Sequence, residues 1–235
     1  MSDIIKVYAL PCAGGTSLLY NGMVKCNNEY VEVVPIELSG HGRRMSEPFY
    51  DSFDEAVCDV YEFICKDVNK DTKYAILGYS MGGLITYEVC CMLENNGKKM
   101  PEHIFISSMR TPECIGEFGK IIQLSDEKII EYVVKLGGVP KEIAESSIYD
   151  ELFFPVIKND FILLNQYKAS RIKTLDVDMT ILYSEEDYQV KDDVQSWKKY
   201  TSKQFDSISY EGGHFFINNC SDKLFLDVSE KLLNR

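Results

Sequence analysis

The sequence predicts an α/β fold, a mostly parallel central sheet flanked by helices, with a block of helices inserted into it. Three observations carry this. Short apolar runs alternate with amphipathic stretches through the first 108 residues in the order β-α-β-α-β-α-β, which implies a parallel sheet with right-handed crossovers. One of those runs, Ala75-Ile76-Leu77-Gly78-Tyr79, leads through Ser80-Met81-Gly82 into a helical pattern, so a Gly-x-Ser-x-Gly turn sits between strand and helix. From 111 to about 171 the alternation lapses, and helix-like segments follow one another without a convincing strand.

The first strand is expected at 4–10, rich in β-branched and aromatic residues. It ends at Pro11-Cys12-Ala13-Gly14-Gly15, a turn whose glycines let backbone N–H groups approach a ligand. Thr16 or Ser17 can cap the helix that follows. A second strand covers 30–38 and gives way to the loop Ser39-Gly40-His41-Gly42-Arg43-Arg44. Asp51-Ser52 then caps a helix with Phe53, Val57, Val60, Tyr61 and Ile64 on one face. Residues 74–79 feed the Ser80 turn, the helix after it ends near Asn95-Asn96-Gly97, and 103–108 is the next strand.

In the inserted block, one helix starts at Ser125-Asp126-Glu127 and ends at Gly137-Gly138-Val139-Pro140, a second covers 141–149, and a third runs from 151 into 167. The block is too long for a single crossover and reads as a lid over the end of the sheet. Strands return at 179–183 and 205–210, with 194–200 helical between them, and Ser221 is read as the cap of a final amphipathic helix. The whole is one domain, 1–235, with the lid at about 111–171.

Bulk properties narrow the partners. A net charge of −12 over 235 residues disfavours nucleic acid and anionic membrane. No apolar run reaches the length of a membrane span, and the N-terminus lacks the basic and apolar regions of a signal peptide. The eight cysteines form no C-x-x-C pair. Without such a pair neither a zinc site nor a dithiol redox site is expected, and with no signal peptide a reducing cytosol is; Cys58, Cys65, Cys90 and Cys91 fall in helical patterns as small buried hydrophobes. Cys12 reads as a bystander beside its glycine turn.

A serine hydroxyl is a poor nucleophile until a base takes its proton, so the Ser80 turn asks for a histidine. His103 opens a strand and reads as structural. His41 lies in a loop on the active-site side of the sheet, where it can touch substrate. His214, in Glu211-Gly212-Gly213-His214-Phe215-Phe216 after the last strand, is the choice for base. An acid must orient its imidazole. Glu185, Glu186 and Asp187 compete in the loop after the preceding strand, and Asp187, deepest in it, is favoured. Ser80, Asp187, His214 is the chain order of the α/β-hydrolase fold. The negative charge developing on a carbonyl oxygen calls for two backbone N–H groups. Met81, the residue after the nucleophile, supplies one. The other is assigned to Ala13, with Cys12 as the fallback.

On these motifs the chain resembles the discrete, type II thioesterases that accompany nonribosomal peptide and polyketide synthases. The resemblance rests on Pro11-Cys12-Ala13-Gly14-Gly15, Glu37-Leu38-Ser39-Gly40-His41-Gly42-Arg43-Arg44, Gly78-Tyr79-Ser80-Met81-Gly82-Gly83 and Gly212-Gly213-His214-Phe215-Phe216. It extends to Leu136-Gly137-Gly138-Val139-Pro140 and to residues 152–161 of the lid. Ser184 stands where the family often has Gly, and Lys158 where it often has Arg.

The resemblance implies hydrolysis of acyl thioesters on the 4′-phosphopantetheine arm of acyl or peptidyl carrier proteins, clearing stalled synthases. It implies no cofactor beyond the arm the substrate carries, and a monomer. Phe215, Phe216, Phe153 and Phe154 are candidates to line the acyl pocket. Carrier proteins are usually acidic, so docking would need local bases, with Arg43, Arg44, Lys168, Arg171 and Lys173 as candidates. Two other readings are a medium-chain acyl thioesterase releasing fatty acids from acyl carrier protein or coenzyme A, and a non-catalytic scaffold that binds an acyl ligand.

Overall fold

The computed structural model describes residues 4–146, 149–169 and 173–234, with backbone only at 116–120 and 150. Six strands form one sheet: β1 (Ile5–Leu10), β2 (Val31–Pro35), β3 (Tyr74–Tyr79), β4 (His103–Ser107), β5 (Asp178–Ser184) and β6 (Phe205–Tyr210). Their spatial order is β2-β1-β3-β4-β5-β6, and every neighbouring pair is parallel. The chain first steps from β1 to β2, then returns to the other side of β1 for β3. That reversal opens the crevice in which open α/β sheets bind ligands, at the carboxyl ends of the strands.

Helices cover both faces. The short α1 (Asn21–Val24) and the long α7 (Ile217–Leu233) pack together on one face, over Val7, Ala9, Leu77 and Phe105. Helices α2 (Phe53–Asp67) and α3 (Met81–Asn95) cover the other, over Tyr8, Ile76, Ile104 and Ile106. The Ser52 hydroxyl accepts from Glu55 N at 3.2 Å while Glu55 returns its carboxylate to Asp51 N at 2.8 Å, a reciprocal cap that fixes where α2 begins.

Between β4 and β5 lie a 3₁₀ segment (Pro112–Gln123), α4 (Asp126–Lys135), α5 (Lys141–Ala144) and α6 (Phe154–Gln166). Helix α6 packs against the 3₁₀ segment and reaches α2, so the inserted block rests on the domain core.

Several sequence expectations are corrected. The second strand ends at Pro35 rather than 38: Ile36 N still donates to Ala9 O at 2.8 Å, and beyond it the chain turns off the sheet edge into the His41 loop. The helix expected over 141–149 stops at Ala144, where the Ser146 hydroxyl takes the Ile143 carbonyl at 2.7 Å and competes with the helical ladder. Ser221 caps nothing. It lies inside α7, donating back to Ile217 O at 2.7 Å, next to Cys220, whose backbone (φ −138°, ψ 30°) kinks the helix. Cys58 is exposed, one step off the buried stripe of α2, and Cys65 and Cys91 are only half-buried.

Packing is very tight at the end of β3. A Cβ on Gly78 would fall 2.1 Å from the Gly82 carbonyl oxygen and 2.4 Å from Thr86 Oγ1, and one on Gly82 would meet the Leu10 carbonyl at 2.4 Å. Backbone cannot yield as a flexible side chain would. Gly78→Ala is therefore expected to lower the unfolding free energy by roughly 3 kcal/mol in urea titration. A change within about 0.5 kcal/mol, the range of an ordinary surface substitution, would show that the turn tolerates a side chain there.

Candidate active site

Ser80 sits directly after β3 and caps α3 with φ 51° and ψ −118°. Few non-glycine residues adopt positive φ, and where they do the surrounding structure enforces it. Here Ser80 N donates to Ser107 O at 2.7 Å and Gly83 N to Ser80 O at 2.8 Å, pinning the turn on both sides. The hydroxyl is thereby held at the mouth of the crevice. Met81 is the first residue of α3, and the leading N–H groups of a helix have no intrahelical acceptor, so its donor points where the helix dipole is positive.

His214 comes to this serine from the loop after β6. Its Nε2 lies 3.2 Å from Ser80 Oγ, and its Nδ1 lies 2.7 Å from Asp187 Oδ2. Asp187 is buried in the loop after β5, and its second oxygen accepts from Gln189 N at 3.2 Å. The two competing acids face elsewhere. Glu185 accepts from the Tyr183 hydroxyl, and Glu186 from Gly212 N at 3.2 Å, which ties the acid loop to the histidine loop. Ser184 uses its hydroxyl to accept from Glu186 N at 3.1 Å, closing the turn that presents Asp187.

The His214 carbonyl is held as well. It accepts from the Tyr79 hydroxyl at 2.6 Å and from Ser108 Oγ at 3.1 Å. Ser108 is the second non-glycine residue with positive φ (46°), at the end of β4. Neither residue stands out in the sequence, because what marks them is a strained backbone and a contact more than a hundred positions away.

The other histidines are occupied. His103 Nε2 lies 2.8 Å from Thr180 Oγ1 and the ring stacks on Phe105, a structural role. His41, read from sequence as able to touch substrate, is buried with Nδ1 2.8 Å from Ser39 O and Nε2 2.9 Å from Asp160 Oδ2. Asp160, on α6, also accepts from Gly14 N at 2.6 Å. One buried carboxylate thus joins the inserted helices, the loop after β2 and the glycine turn after β1. Gly14, at φ 68°, lies so close to α6 that a Cβ would meet Ile157 Cγ1 at 2.1 Å. Sequence reasoning placed Asp160 only in a family-like stretch and gave it no contact.

A cavity of about 40 Å³ adjoins Ser80, lined among others by Ala13, Tyr132, Leu164, His214 and Phe215. Its roof comes from α4 and α6. A groove of about 340 Å³ shares Cys12 and Phe215 with it and runs past Leu19, Val139, Phe153 and Ile157. Phe153 is 48% exposed on this groove. Phe154 and Phe216, expected in the pocket, line neither cavity. Phe154 opens α6 and turns into the core, while Phe216 stacks on Tyr210 beneath α7. Burial, with the negative charge of Asp160 next, raises the Cys12 thiol to about 12, so it is inert at neutral pH.

The candidate docking bases separate. Arg44 is bound to Glu47 and Asp59 at 2.6 Å each, and Lys173 to Glu94 at 2.6 Å. Arg43 is mostly exposed, 3.9 Å from Glu37, and Lys168 is exposed. Arg171 lies outside the described residues. Among the described residues, no helix is long and apolar enough to cross a membrane.

Residues 5–232 match the family described as Thioesterase domain. The chain belongs to that family. Among solved structures, this thioesterase-family chain is similar to the RedJ thioesterase of the prodiginine pathway in Streptomyces coelicolor. The two are 29% identical with a TM-score of 0.88, covering 97% of this chain and 85% of that one. ClbQ from the colibactin NRPS/PKS pathway is 28% identical with a TM-score of 0.87, covering 98% and 97%. The medium-chain S-acyl fatty acid synthase thioesterase of Homo sapiens is 28% identical over 236 residues, covering 97% and 87%. Membership of the family and the six-stranded parallel sheet agree with the fold expected from the sequence.

Burial pulls the His41 pKa down, but the hydrogen bond and charge of Asp160 outweigh it and leave the imidazole above its ordinary value. A group whose pKa is higher folded than unfolded stabilises the fold most below its unfolded value, and that contribution fades as pH rises through the folded value. The stability gap between wild type and His41→Gln in urea unfolding is therefore expected to be widest below about pH 6.5 and narrower at about pH 9. A gap constant across that range would mean that the pair carries no charge-dependent stabilisation.

Proposed function

We propose that this thioesterase-family protein hydrolyses acyl thioesters held on the 4′-phosphopantetheine arm of carrier proteins, through an acyl-enzyme on Ser80. The observation that carries this reading is the Ser80–His214–Asp187 chain, at 3.2 and 2.7 Å. Ser80 Oγ attacks the thioester carbonyl while His214 Nε2 takes its proton. Asp187 holds the ring through Nδ1 and stabilises the imidazolium. The oxyanion is received by the N–H groups of Met81 and Ala13. The carbon–sulfur bond then breaks, and His214 returns its proton to the departing sulfur. Water, deprotonated by His214, attacks the acyl-enzyme and releases the acid and the free serine.

The substrate is a short acyl group. The chamber at Ser80, about 40 Å³, is small beside the neighbouring groove of about 340 Å³, which suits acetyl or propionyl better than an eight-carbon chain. Such a chamber suits the clearing of stalled or wrongly primed synthases. The pantetheine arm enters along the 340 Å³ groove past Phe153 and Phe215, and the block over 111–171 acts as the lid of a single domain. No cofactor takes part. The protein works as a cytoplasmic monomer, with Arg43 and Lys168 as the bases left to meet an acidic carrier. A second reading, release of medium-chain acids, is favoured by the likeness to the human medium-chain protein.

Acetyl-loaded peptidyl carrier protein and octanoyl-loaded acyl carrier protein, assayed side by side, separate the two. The short acyl group on the peptidyl carrier is expected to turn over faster, and the reverse order would favour the medium-chain reading. Ser80→Ala is expected to lower kcat by at least about 10³-fold on both substrates. Retention of full hydrolysis would exclude this mechanism whatever the substrate.

A further inference from the structure

Beside the Ser80 chamber lies a second, open cavity of about 430 Å³, and among the described residues only Tyr132 and Gln189 line both. We propose that the Tyr132–Gln189 pair is the partition that limits acyl length, and that the cavity behind it is a latent subsite for the distal part of longer acyl chains. This rests on the thioesterase reading of Ser80.

The two residues meet across the crevice from different layers. Tyr132 comes from α4, in the inserted block, with its ring edge-on to Phe161 of α6 at 6.2 Å. Gln189 comes from the loop that presents Asp187. The Tyr132 hydroxyl lies 3.0 Å from Gln189 Oε1 and 2.8 Å from Nε2, so it can pair with either end of the amide. On the far side stand Arg110, Ile121, Tyr188, Asp192 and Asp193, where Ile121, the Tyr188 ring and the aliphatic stem of Arg110 offer an alkyl chain apolar surface among polar groups. A two-carbon acyl group ends before the partition, and an eight-carbon one must displace it.

A single neutral hydrogen bond between two side chains is a weak barrier, easily lost. That makes the partition a selector rather than a seal. Its position also separates specificity from chemistry. Gln189 supports Asp187 through its backbone N–H, so a change of its side chain removes the partition and leaves that support in place.

The test is kcat/KM for acetyl, butyryl, hexanoyl and octanoyl thioesters of pantetheine, in wild type, Gln189→Ala and Gln189→Met. Wild type is expected to fall steeply with length. In Gln189→Ala the octanoyl-to-acetyl ratio is expected to rise at least tenfold. Gln189→Met, which keeps the bulk and loses the hydrogen bond, is expected to move it less. Tyr132→Phe, the removal of one oxygen, provides the reading if the alanine variant does not fold, with a rise of at least threefold. An unchanged ratio, or an equal fall on every substrate, overturns the partition and leaves the hydrolase reading standing. A wild-type protein inactive on every thioester overturns both.

Discussion

The structure depends on one forced turn. Ser80 holds a left-handed backbone that its side chain disfavours, and β3 and α3 hold it there because they meet at the distance of two glycines. Gly78 faces the Gly82 carbonyl, and Gly82 faces the carbonyls of β1, with no room for a methyl group at either contact. Strain of this kind, of order 1–3 kcal/mol, persists only where the surroundings over-determine it. The surroundings here are three adjacent interior strands, β1, β3 and β4, whose residues are almost all buried.

A second constraint sits around Asp160. Its carboxyl group is fully buried, and a buried polar group of this kind costs free energy unless it is hydrogen-bonded. His41 and Gly14 supply those hydrogen bonds from two loops on the crevice side of the sheet. The glycine turn that includes Ala13 is therefore held by the inserted block as well as by β1. Losing the His41 side chain would remove one of the two hydrogen bonds to this buried carboxyl, so the contact ties α6 to both loops.

Much of this was legible in the sequence, because the signals were local. Strand, turn and helix around Ser80 were marked by an apolar run, two glycines and a helical period. Asp187 and His214 were marked by chain order and by their place after consecutive strands. What escaped depended on contacts that local pattern does not encode. Asp160 and His41 meet across 119 positions, and the strain at Ser108 exists only because the loop after β4 must reach the His214 carbonyl. Phe153 and Phe154 are adjacent and equally apolar, yet one faces a groove and the other the core, because α6 begins between them. Serine hydroxyls that bond locally ended one helix early and bent another, an ambiguity inherent in a residue that serves caps and interiors alike.

The Tyr79 hydroxyl has a consequence for how the layers divide. Tyr79 precedes Ser80 in the chain, and its ring spans the core to hold the main chain of His214. Serine and histidine are in this way referenced to the same strand rather than to the helices above them. Helix α4, by contrast, reaches the strand loops through the Tyr132–Gln189 contact and the Lys135 ammonium over the Tyr188 ring, both side-chain ties at its edge. A change at the edge of α4 can therefore alter what lies beside the site while the Ser80–His214 spacing stays set from β3.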